Sequence, residues 1–275
     1  MTQRWDSDIA PVHPPVSIAG WLRIFLRISA LFVLVFGGLL IKLLVRLVER
    51  PFCGVRRPVT PYLTQFVCRN ALRLLGLRLH VQGTPMRGQG AIVANHTSWL
   101  DIFVLNASKR IYFVSKSEVA SWPGIGWLAR ATGTVFIVRA PSRAREQTEV
   151  FQNRLLAGHK LLFFPEGTST DGLQVLPFKT TLFQSFFAQN IKNQMAIQPV
   201  SVIYHAPEGL DRRFYGWWGD TSFGAHLLAT LAPARQGWVD VIYHPPLRVA
   251  DYPNRKALAL ACEADVRKGH LASLT

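Results

Sequence analysis

An uncharged apolar run near the amino terminus places the strongest constraint on the fold. The run extends from Ile28 to Ile41, and Arg27 and Lys42 flank it. About fourteen uncharged residues are fewer than the ~20 that cross a bilayer as a helix. Basic side chains at the two edges can extend toward the membrane surface, however, and so lengthen the usable stretch. We therefore predict a single transmembrane or deeply embedded helix over 21–47.

A second apolar segment, over 62–77, has apolar residues at mixed helical spacing. Arg69 and Arg73 are four residues apart and lie on another face of the same predicted helix. An amphipathic helix of this kind can lie in a membrane interface, and an ordinary helix that packs on a core is the alternative. Together the two segments form a predicted membrane-anchoring helical pair over 19–77, which follows a proline-rich, flexible leader over 1–18.

Short strands and helices alternate in the pattern of the remaining chain, over 78–275. This alternation indicates an α/β domain with a mostly parallel central sheet flanked by helices. Strands are predicted at 78–82, 90–94, 111–114, 134–138, 160–164, 196–203 and 238–243. Helices are predicted at 99–108, 124–131, 143–157, 179–189 and 255–268, and the stretch 223–231 is apolar and helix-like.

The chain is strongly basic, with 31 Lys and Arg residues against 16 Asp and Glu and a net charge of +15. An anionic membrane surface suits such a chain, because each nearby basic residue adds about 1 kcal/mol of attraction. Nucleic acid is the rival explanation of the charge, and we expect no nucleic-acid partner. Basic residues are concentrated after the apolar run, which favours a bacterial-type inner membrane with the catalytic domain facing the cytoplasm. Three scattered cysteines predict neither a disulfide framework nor a metal site.

A histidine and an aspartate follow the second predicted strand, in the stretch Ala94-Asn95-His96-Thr97-Ser98-Trp99-Leu100-Asp101. Reactive side chains often lie where a strand of a rigid scaffold becomes a loop. The Asp101 carboxylate could hold one ring nitrogen of His96 and leave the other nitrogen free to act as a base. The alternative is that Asn95 or Ser98 caps the following helix and that His96 has no chemical role.

Two later strand ends also carry polar groups. The stretch 133–139 reads as a strand that ends in Arg139, a side chain suited to bidentate binding of phosphate. Phe164-Pro165-Glu166-Gly167-Thr168 follows another strand, where proline ends the strand and glycine permits a tight loop with exposed backbone N–H groups. An ordinary turn would use the same residue types.

In chain order, these stretches resemble the four motifs of the glycerolipid acyltransferases, the family of 1-acylglycerol-3-phosphate acyltransferases. Asn95 to Asp101 resembles the first motif, Gly133 to Arg139 the second, and Phe164 to Thr168 the third. The apolar stretch Ile197-Gln198-Pro199-Val200 is similar to the fourth. The resemblance covers roughly 78–205 and implies the glycerolipid acyltransferase fold.

The resemblance also implies a reaction and roles for particular residues. A fatty acyl group would move from acyl-acyl carrier protein or acyl-coenzyme A to the free hydroxyl of a lysolipid, with no bound cofactor. His96 would be the base, and Asp101 would orient it. Arg139 and the loop of Glu166, Gly167 and Thr168 would hold the polar head of the acceptor. Lys179 could contact a phosphate of acceptor or donor, or it could be an ordinary surface lysine.

The acceptor is the least constrained part of this hypothesis. We expect 1-acyl-sn-glycerol-3-phosphate, which would give phosphatidic acid in phospholipid biosynthesis. After Pro177-Phe178-Lys179 the family usually has small residues, whereas this chain has Thr180-Thr181-Leu182. Lyso-ornithine lipid, an aminolipid without phosphate, is therefore the alternative acceptor. A non-enzymatic, membrane-tethered binding protein is a second alternative, and such a protein would not need His96 and Asp101 together.

Overall fold

The predicted amino-terminal helix is α1, which extends over Ile18–Cys53 in a computed structural model that describes residues 5–7, 13–138 and 144–273. Its 36 residues correspond to about 54 Å at 1.5 Å per residue, so α1 is longer at both ends than the predicted 21–47. Ser17 begins the helix by accepting a hydrogen bond from the Gly20 N–H at 3.1 Å. Near the other end, Arg46 donates to the Glu49 carboxylate at 3.1 Å, and this pair lies beyond the apolar run.

The apolar part of α1 is exposed rather than packed into the body. A window of 18 residues has a mean hydropathy of 2.6 and is 6% buried. Among the described residues, α1 is the one helix long and apolar enough to cross a membrane. Its exposed large apolar side chains include Trp21, Leu22, Phe25, Leu26, Phe32, Val33, Leu40, Ile41, Leu43, Leu44, Leu47 and Val48.

The second predicted helix is α2, which extends over Thr60–Leu75 and packs between α1 and α3 (Asp101–Ser108). One face of α2 contacts the core, as the core-packing interpretation expects. Tyr62 and Phe66 stay exposed on another face, so α2 is amphipathic as predicted. The buried residues of α2 are Thr60, Gln65, Cys68, Ala71, Leu72 and Leu75.

The central sheet has eight strands in the described part of the chain, in the order β1-β7-β6-β2-β5-β3-β4, with β8 paired to the start of β6. Only the β6–β7 and β6–β8 pairs are antiparallel there, so the predicted mostly parallel α/β sheet is confirmed. The strands are β1 (Arg78–Gln82), β2 (Gly90–Ala94), β3 (Tyr112–Lys116), β4 (Val135–Ile137), β5 (Leu161–Phe163), β6 (Ala196–His205), β7 (Trp238–Tyr243) and β8 (Leu247–Arg248).

Helices cover both faces of this sheet. Besides α1, α2 and α3, the helices are α4 (Ile125–Thr132), α5 (Ala144–Leu156), α6 (Phe223–Leu231) and α7 (Arg255–Ala272). Alternate residues of β2 point to opposite faces, so that Ile92 joins the apolar cluster with α2 and α3, whereas Val93 joins the cluster with α5 and α7.

The prediction of an α-helix at 179–189 is wrong. A short 3₁₀ helix over Leu182–Phe187 takes its place. Residues three apart are aligned in a 3₁₀ helix, and this alignment turns Phe183 and Phe186 together toward the Phe163 ring, at centroid distances of 5.4 and 6.3 Å. The packing of these rings therefore decides the local backbone.

The leader predicted over 1–18 lies partly outside the described residues. Its described parts contact the body: the Trp5 ring lies 6.1 Å from that of Trp218, and the His13 ring lies 5.6 Å from that of Phe214. Proline content alone therefore misses aromatic contacts that these parts of the leader make.

Candidate active site

His96 lies just after β2 and contacts Asp101, the first residue of α3. Its Nδ1 lies 2.7 Å from Asp101 Oδ2. A carboxylate oxygen can only accept here, so Nδ1 carries the proton and Nε2 is the nitrogen with the free lone pair. The imidazole stacks on the Phe164 ring, with centroids 4.0 Å apart and planes at 11°. The predicted contact is present, and 22% of the His96 side chain is exposed.

The Asp101 carboxylate is fully buried and is bonded at both oxygens. Oδ2 accepts hydrogen bonds from the backbone N–H groups of Thr97 and Ser98, at 2.9 and 3.1 Å, as well as from the imidazole. Oδ1 accepts from the Tyr204 hydroxyl at 2.7 Å. A buried charge is tolerated when hydrogen bonds replace its hydration, so these donors fix the carboxylate in one position beside His96.

Tyr204 belongs to this site, and the sequence interpretation missed it. It lies near the end of β6 and is 7% exposed. Burial is the main cause that raises the pKa of its hydroxyl well above the usual 10, and the neighbouring Asp101 adds to this. The phenol therefore stays protonated and donates. A polar side chain within the buried strand pattern of β6 is the signal that could have indicated it.

Glu166 points into the protein instead of toward a ligand. Its side chain is buried, and its two oxygens accept the backbone N–H groups of His96 and Leu176, each at 3.1 Å. Burial raises the pKa of this carboxyl to about 8, although the two backbone hydrogen bonds lower it. Glu166 therefore braces the loop that carries His96, and its role at the acceptor head group stays a prediction.

The other residues expected to hold the acceptor lie along the loop after β5. Because β5 runs parallel to β2, this loop lies at the same edge of the sheet as His96. The Gly167 N–H closes a turn onto the Phe164 carbonyl at 3.1 Å, and Thr168 is half-buried beside it. The exposed Lys179 is held nearby, since its backbone N–H donates to the Pro165 carbonyl at 2.9 Å.

Arg139 lies outside the residues that the structure describes. The strand predicted to carry it is present as β4, which pairs with β3 in parallel at the same end of the sheet. Its role at the acceptor head stays a prediction.

Neither of the expected helix caps is present. The Asn95 side chain bonds to both backbone groups of Val202 on β6, at 2.8 Å each. Ser98 Oγ is 3.4 Å from the Leu100 N–H, and the helix cap at Leu100 has no side-chain hydrogen bond. Asn95 therefore ties the end of β2 to its neighbouring strand.

Distant segments also fix the loop around His96. The His96 carbonyl accepts from the Thr170 N–H at 3.0 Å, and the Thr97 carbonyl accepts from the Trp217 N–H at 2.9 Å. Next to Thr170, the Gly172 carbonyl accepts from His270 Nε2 of α7 at 2.9 Å. The site is thus completed by parts of the chain that are far apart in sequence.

Comparison with known proteins shows which family the chain resembles. A family model described as Acyltransferase matches residues 78–203. A lyso-ornithine lipid O-acyltransferase from Rhodobacter capsulatus is 57% identical over 265 residues, which are 96% of each chain. A 1-acyl-sn-glycerol-3-phosphate acyltransferase from Neisseria gonorrhoeae is 41% identical over 120 residues, which are 42% of this chain and 47% of the relative.

A solved structure has the same fold. The 1-acyl-sn-glycerophosphate (LPA) acyltransferase PlsC from Thermotoga maritima superimposes with a TM-score of 0.63, over 93% of this chain and 95% of that one. The two sequences are 22% identical, so this likeness concerns the fold alone.

Proposed function

Because this chain belongs to the acyltransferase family and is an acyltransferase acting on lysolipids, we propose that it is a lyso-ornithine lipid O-acyltransferase. The observation that carries the proposed acceptor is the identity to the Rhodobacter capsulatus relative along nearly the whole of both chains. The relative that uses 1-acyl-sn-glycerol-3-phosphate matches less than half of this chain. Our expectation of phosphatidic acid synthesis is therefore less well supported than the alternative acceptor.

The His96–Asp101 pair supports a direct transfer in one addition and one elimination. His96 Nε2 takes the proton from the acceptor hydroxyl while the hydroxyl oxygen forms a bond to the thioester carbonyl carbon. The tetrahedral intermediate then collapses, the carbon–sulfur bond breaks, and the thiolate leaves with the proton that the imidazolium returns. Positioned base catalysis of this kind contributes about 10²–10⁴ in rate.

Asp101 orients the imidazole and stabilises the imidazolium through Nδ1. The donors on its two oxygens support this role, because they fix the position of the carboxylate before the reaction begins. Phe164 restricts the imidazole to one plane, which reduces the orientations that the base must search.

The acyl donor in this proposal is a thioester of acyl carrier protein or coenzyme A. Gly167, Thr168, Lys179 and Arg139 would hold the polar head of the acceptor. The apolar helix α1 associates the enzyme with a membrane, and we further propose that the catalytic domain faces the cytoplasm.

The direct test is transfer of a labelled acyl group by the purified full-length chain to a panel of lysolipids. We expect transfer to lyso-ornithine lipid at a kcat/KM at least about tenfold above that for 1-acyl-sn-glycerol-3-phosphate, a difference of about 1.4 kcal/mol in transition-state binding. Lipid extracts of cells that lack the protein should accumulate lyso-ornithine lipid.

The outcomes separate the alternatives. Preferred transfer to 1-acyl-sn-glycerol-3-phosphate, with accumulation of that lipid in cells, would restore our first expectation. Transfer to no lysolipid, together with salt-sensitive binding of nucleic acid, would favour a membrane-tethered binding protein. The His96→Ala variant supplies the background for each assay.

A further inference from the structure

A cavity lies away from His96, between the carboxy-terminal part of α1, helix α4 and the end of α5. Its volume is about 780 Å³. Basic side chains dominate the polar part of its lining, and in the described part of the chain no Asp or Glu lines it. We call it the basic pocket, and its cations are Lys42, Arg46, Arg50, Arg57, Arg130 and Arg154.

The basic pocket is at the opposite edge of the sheet from His96. Arg154 precedes β5 and donates from Nη2 to the Gly133 carbonyl, just before β4, at 2.8 Å. Its guanidinium also lies 4.7 Å from the centroid of the Tyr112 ring, at the first residue of β3. These contacts place it where parallel strands begin, whereas His96 follows the end of β2.

Hydrogen bonds to neutral groups position two of the arginines, Arg57 and Arg154. Arg57 Nη1 donates to the Ala131 carbonyl at 2.9 Å, and Arg154 Nε donates to His159 Nδ1 at 2.6 Å. Gly133 makes room for this arrangement, because a Cβ there would lie 2.8 Å from Arg57 Cζ. These contacts orient the guanidinium groups through neutral partners, and Glu49 is the carboxylate that acts on Arg57 at longer range.

Charge balance within the pocket is incomplete. Glu49 lies beside it and pairs with Arg46 at 3.1 Å. Burial and the neighbouring Arg57 lower the pKa of Arg154 to about 10, so it remains protonated at neutral pH. Burial and Arg46 lower the pKa of Arg57 as well. The cations therefore repel one another, and an anion that enters the pocket would relieve this repulsion.

The rim of the basic pocket is apolar on the side of α1. Leu39, Leu43 and Val55 contribute to the lining, and Trp127 of α4 adds an indole that is 61% exposed. The exposed apolar surface of α1 adjoins this rim. A ligand with an anionic head and apolar chains would match both parts at once, because the head would meet guanidinium groups and the chains would extend along α1.

We propose that the basic pocket binds the phosphate of an anionic membrane phospholipid, as a site separate from the one that acylates the acceptor. Arg57 and Arg154 form its floor and contact the phosphate oxygens, and Arg50 contacts the head group from the rim. Guanidinium groups bind phosphate with short, charge-assisted hydrogen bonds. The bound lipid holds the amino-terminal helix pair and the catalytic body together against the membrane.

Native mass spectrometry of the full-length chain, released from a neutral detergent, tests this site directly. The protein is titrated with phosphatidylglycerol and, separately, with phosphatidylcholine. We expect one phosphatidylglycerol molecule to be retained with an apparent affinity at least about tenfold above that for phosphatidylcholine. Arg57→Gln and Arg50→Gln should each lower it by about tenfold, as for the loss of one charge-assisted hydrogen bond.

Arg73→Gln is the matched control, since it removes the same charge from an exposed position on α2. It should leave retention of phosphatidylglycerol unchanged. Equal retention of both lipids, or an equal loss in all three variants, would overturn the proposal in favour of general surface attraction. Arms with inorganic phosphate and with coenzyme A distinguish the source of the phosphate: binding of either one, lost in Arg57→Gln while phosphatidylglycerol does not compete, would assign the pocket to a soluble ligand.

Discussion

The two edges of the sheet use charge in opposite ways. At the edge with His96, the Asp101 carboxylate is buried and has donors on both oxygens, from the imidazole, the backbone and Tyr204. At the edge with the basic pocket, Arg57 and Arg154 donate hydrogen bonds to neutral acceptors, so these bonds do not neutralise the charge of the guanidinium groups. The first arrangement fixes a geometry, whereas the second leaves a ligand to complete it.

One scaffold can in this way combine chemistry with binding. A base must be oriented before the substrate arrives, because reorganisation during the reaction raises the barrier. A site for an anion gains from cations that have no partner of their own, because their repulsion disappears when the ligand enters. Substitutions at the His96 edge should therefore change kcat and stability, and those in the basic pocket should change ligand retention.

The largest expected effect is that of His96→Ala. It removes the base, and kcat should fall by about 10²–10⁴ in the labelled acyl-transfer assay, while thermal unfolding shows a folded protein. His80→Ala is the matched control, because it removes a different His–Asp contact, to Asp240 at 3.2 Å, and should leave kcat within about twofold. Substantial activity in the His96→Ala variant would exclude the proposed base.

A smaller effect is expected for Tyr204→Phe, which removes the donor to Asp101 Oδ1. The loss of a hydrogen bond to a buried charge should lower the free energy of unfolding by about 1–3 kcal/mol. Because Asp101 then orients His96 less strictly, we expect kcat to fall by about tenfold with little change in KM. Steady-state kinetics and denaturant unfolding measure the two effects.

Tyr215→Phe controls for the loss of a buried tyrosine hydroxyl near the same place. The Tyr215 hydroxyl donates to Gln236 at 2.7 Å and accepts from the Gly237 N–H at 3.0 Å. This variant should lose stability but keep its kcat. If both tyrosine variants lowered kcat equally, Tyr204 would have only a general packing role.

The smallest effect, when it is measured over a single pH unit, concerns the contribution of Glu166 to stability. Its pKa is raised from the usual 4.5 to about 8 on folding, so the folded state binds the proton more tightly than the unfolded state. The stabilisation that results is complete below pH 4.5 and is lost as pH rises toward 8. The contribution to unfolding free energy should fall with pH in that window, by at most about 1.4 kcal/mol for each unit.

Denaturant unfolding at several pH values, compared with Glu166→Gln, isolates this contribution. Gln cannot ionise, so the difference in unfolding free energy between the two proteins should change across pH 4.5–8 and level off above it. A difference that stays constant with pH would show that Glu166 is already ionised in the folded protein.

Local pattern was enough to predict most of this fold. Strand β2 has the predicted bounds, because a buried strand reads as a continuous apolar run. Strand β7 also has the predicted bounds, although Asp240 interrupts its apolar residues. The stretch at 179–189 failed, because packing of Phe183 and Phe186 overrides helical propensity there. Tertiary contacts therefore determine the backbone of this stretch, and the local sequence pattern does not.

Some residues of the candidate site could be predicted from local sequence, and others could not. His96 and Asp101 are close in sequence, so their contact could be predicted from spacing. Tyr204 and Glu166 approach them only because β6 and β5 lie beside β2 in the sheet, and strand order was not available from spacing. The inward direction of Glu166 was hidden for the same reason, since its partners are backbone groups of a neighbouring loop.

The hydrogen bond from His270 to the Gly172 carbonyl affects when the loop around His96 can form during synthesis of the chain. A ribosome makes α1 and β2 early and α7 last, and the loop around His96 gains this support only when α7 has docked. Domains in general fold as units during synthesis, so the loop around His96 is completed only after the helix that carries His270 has been made. The geometry around His96 therefore depends on a segment that is synthesised late.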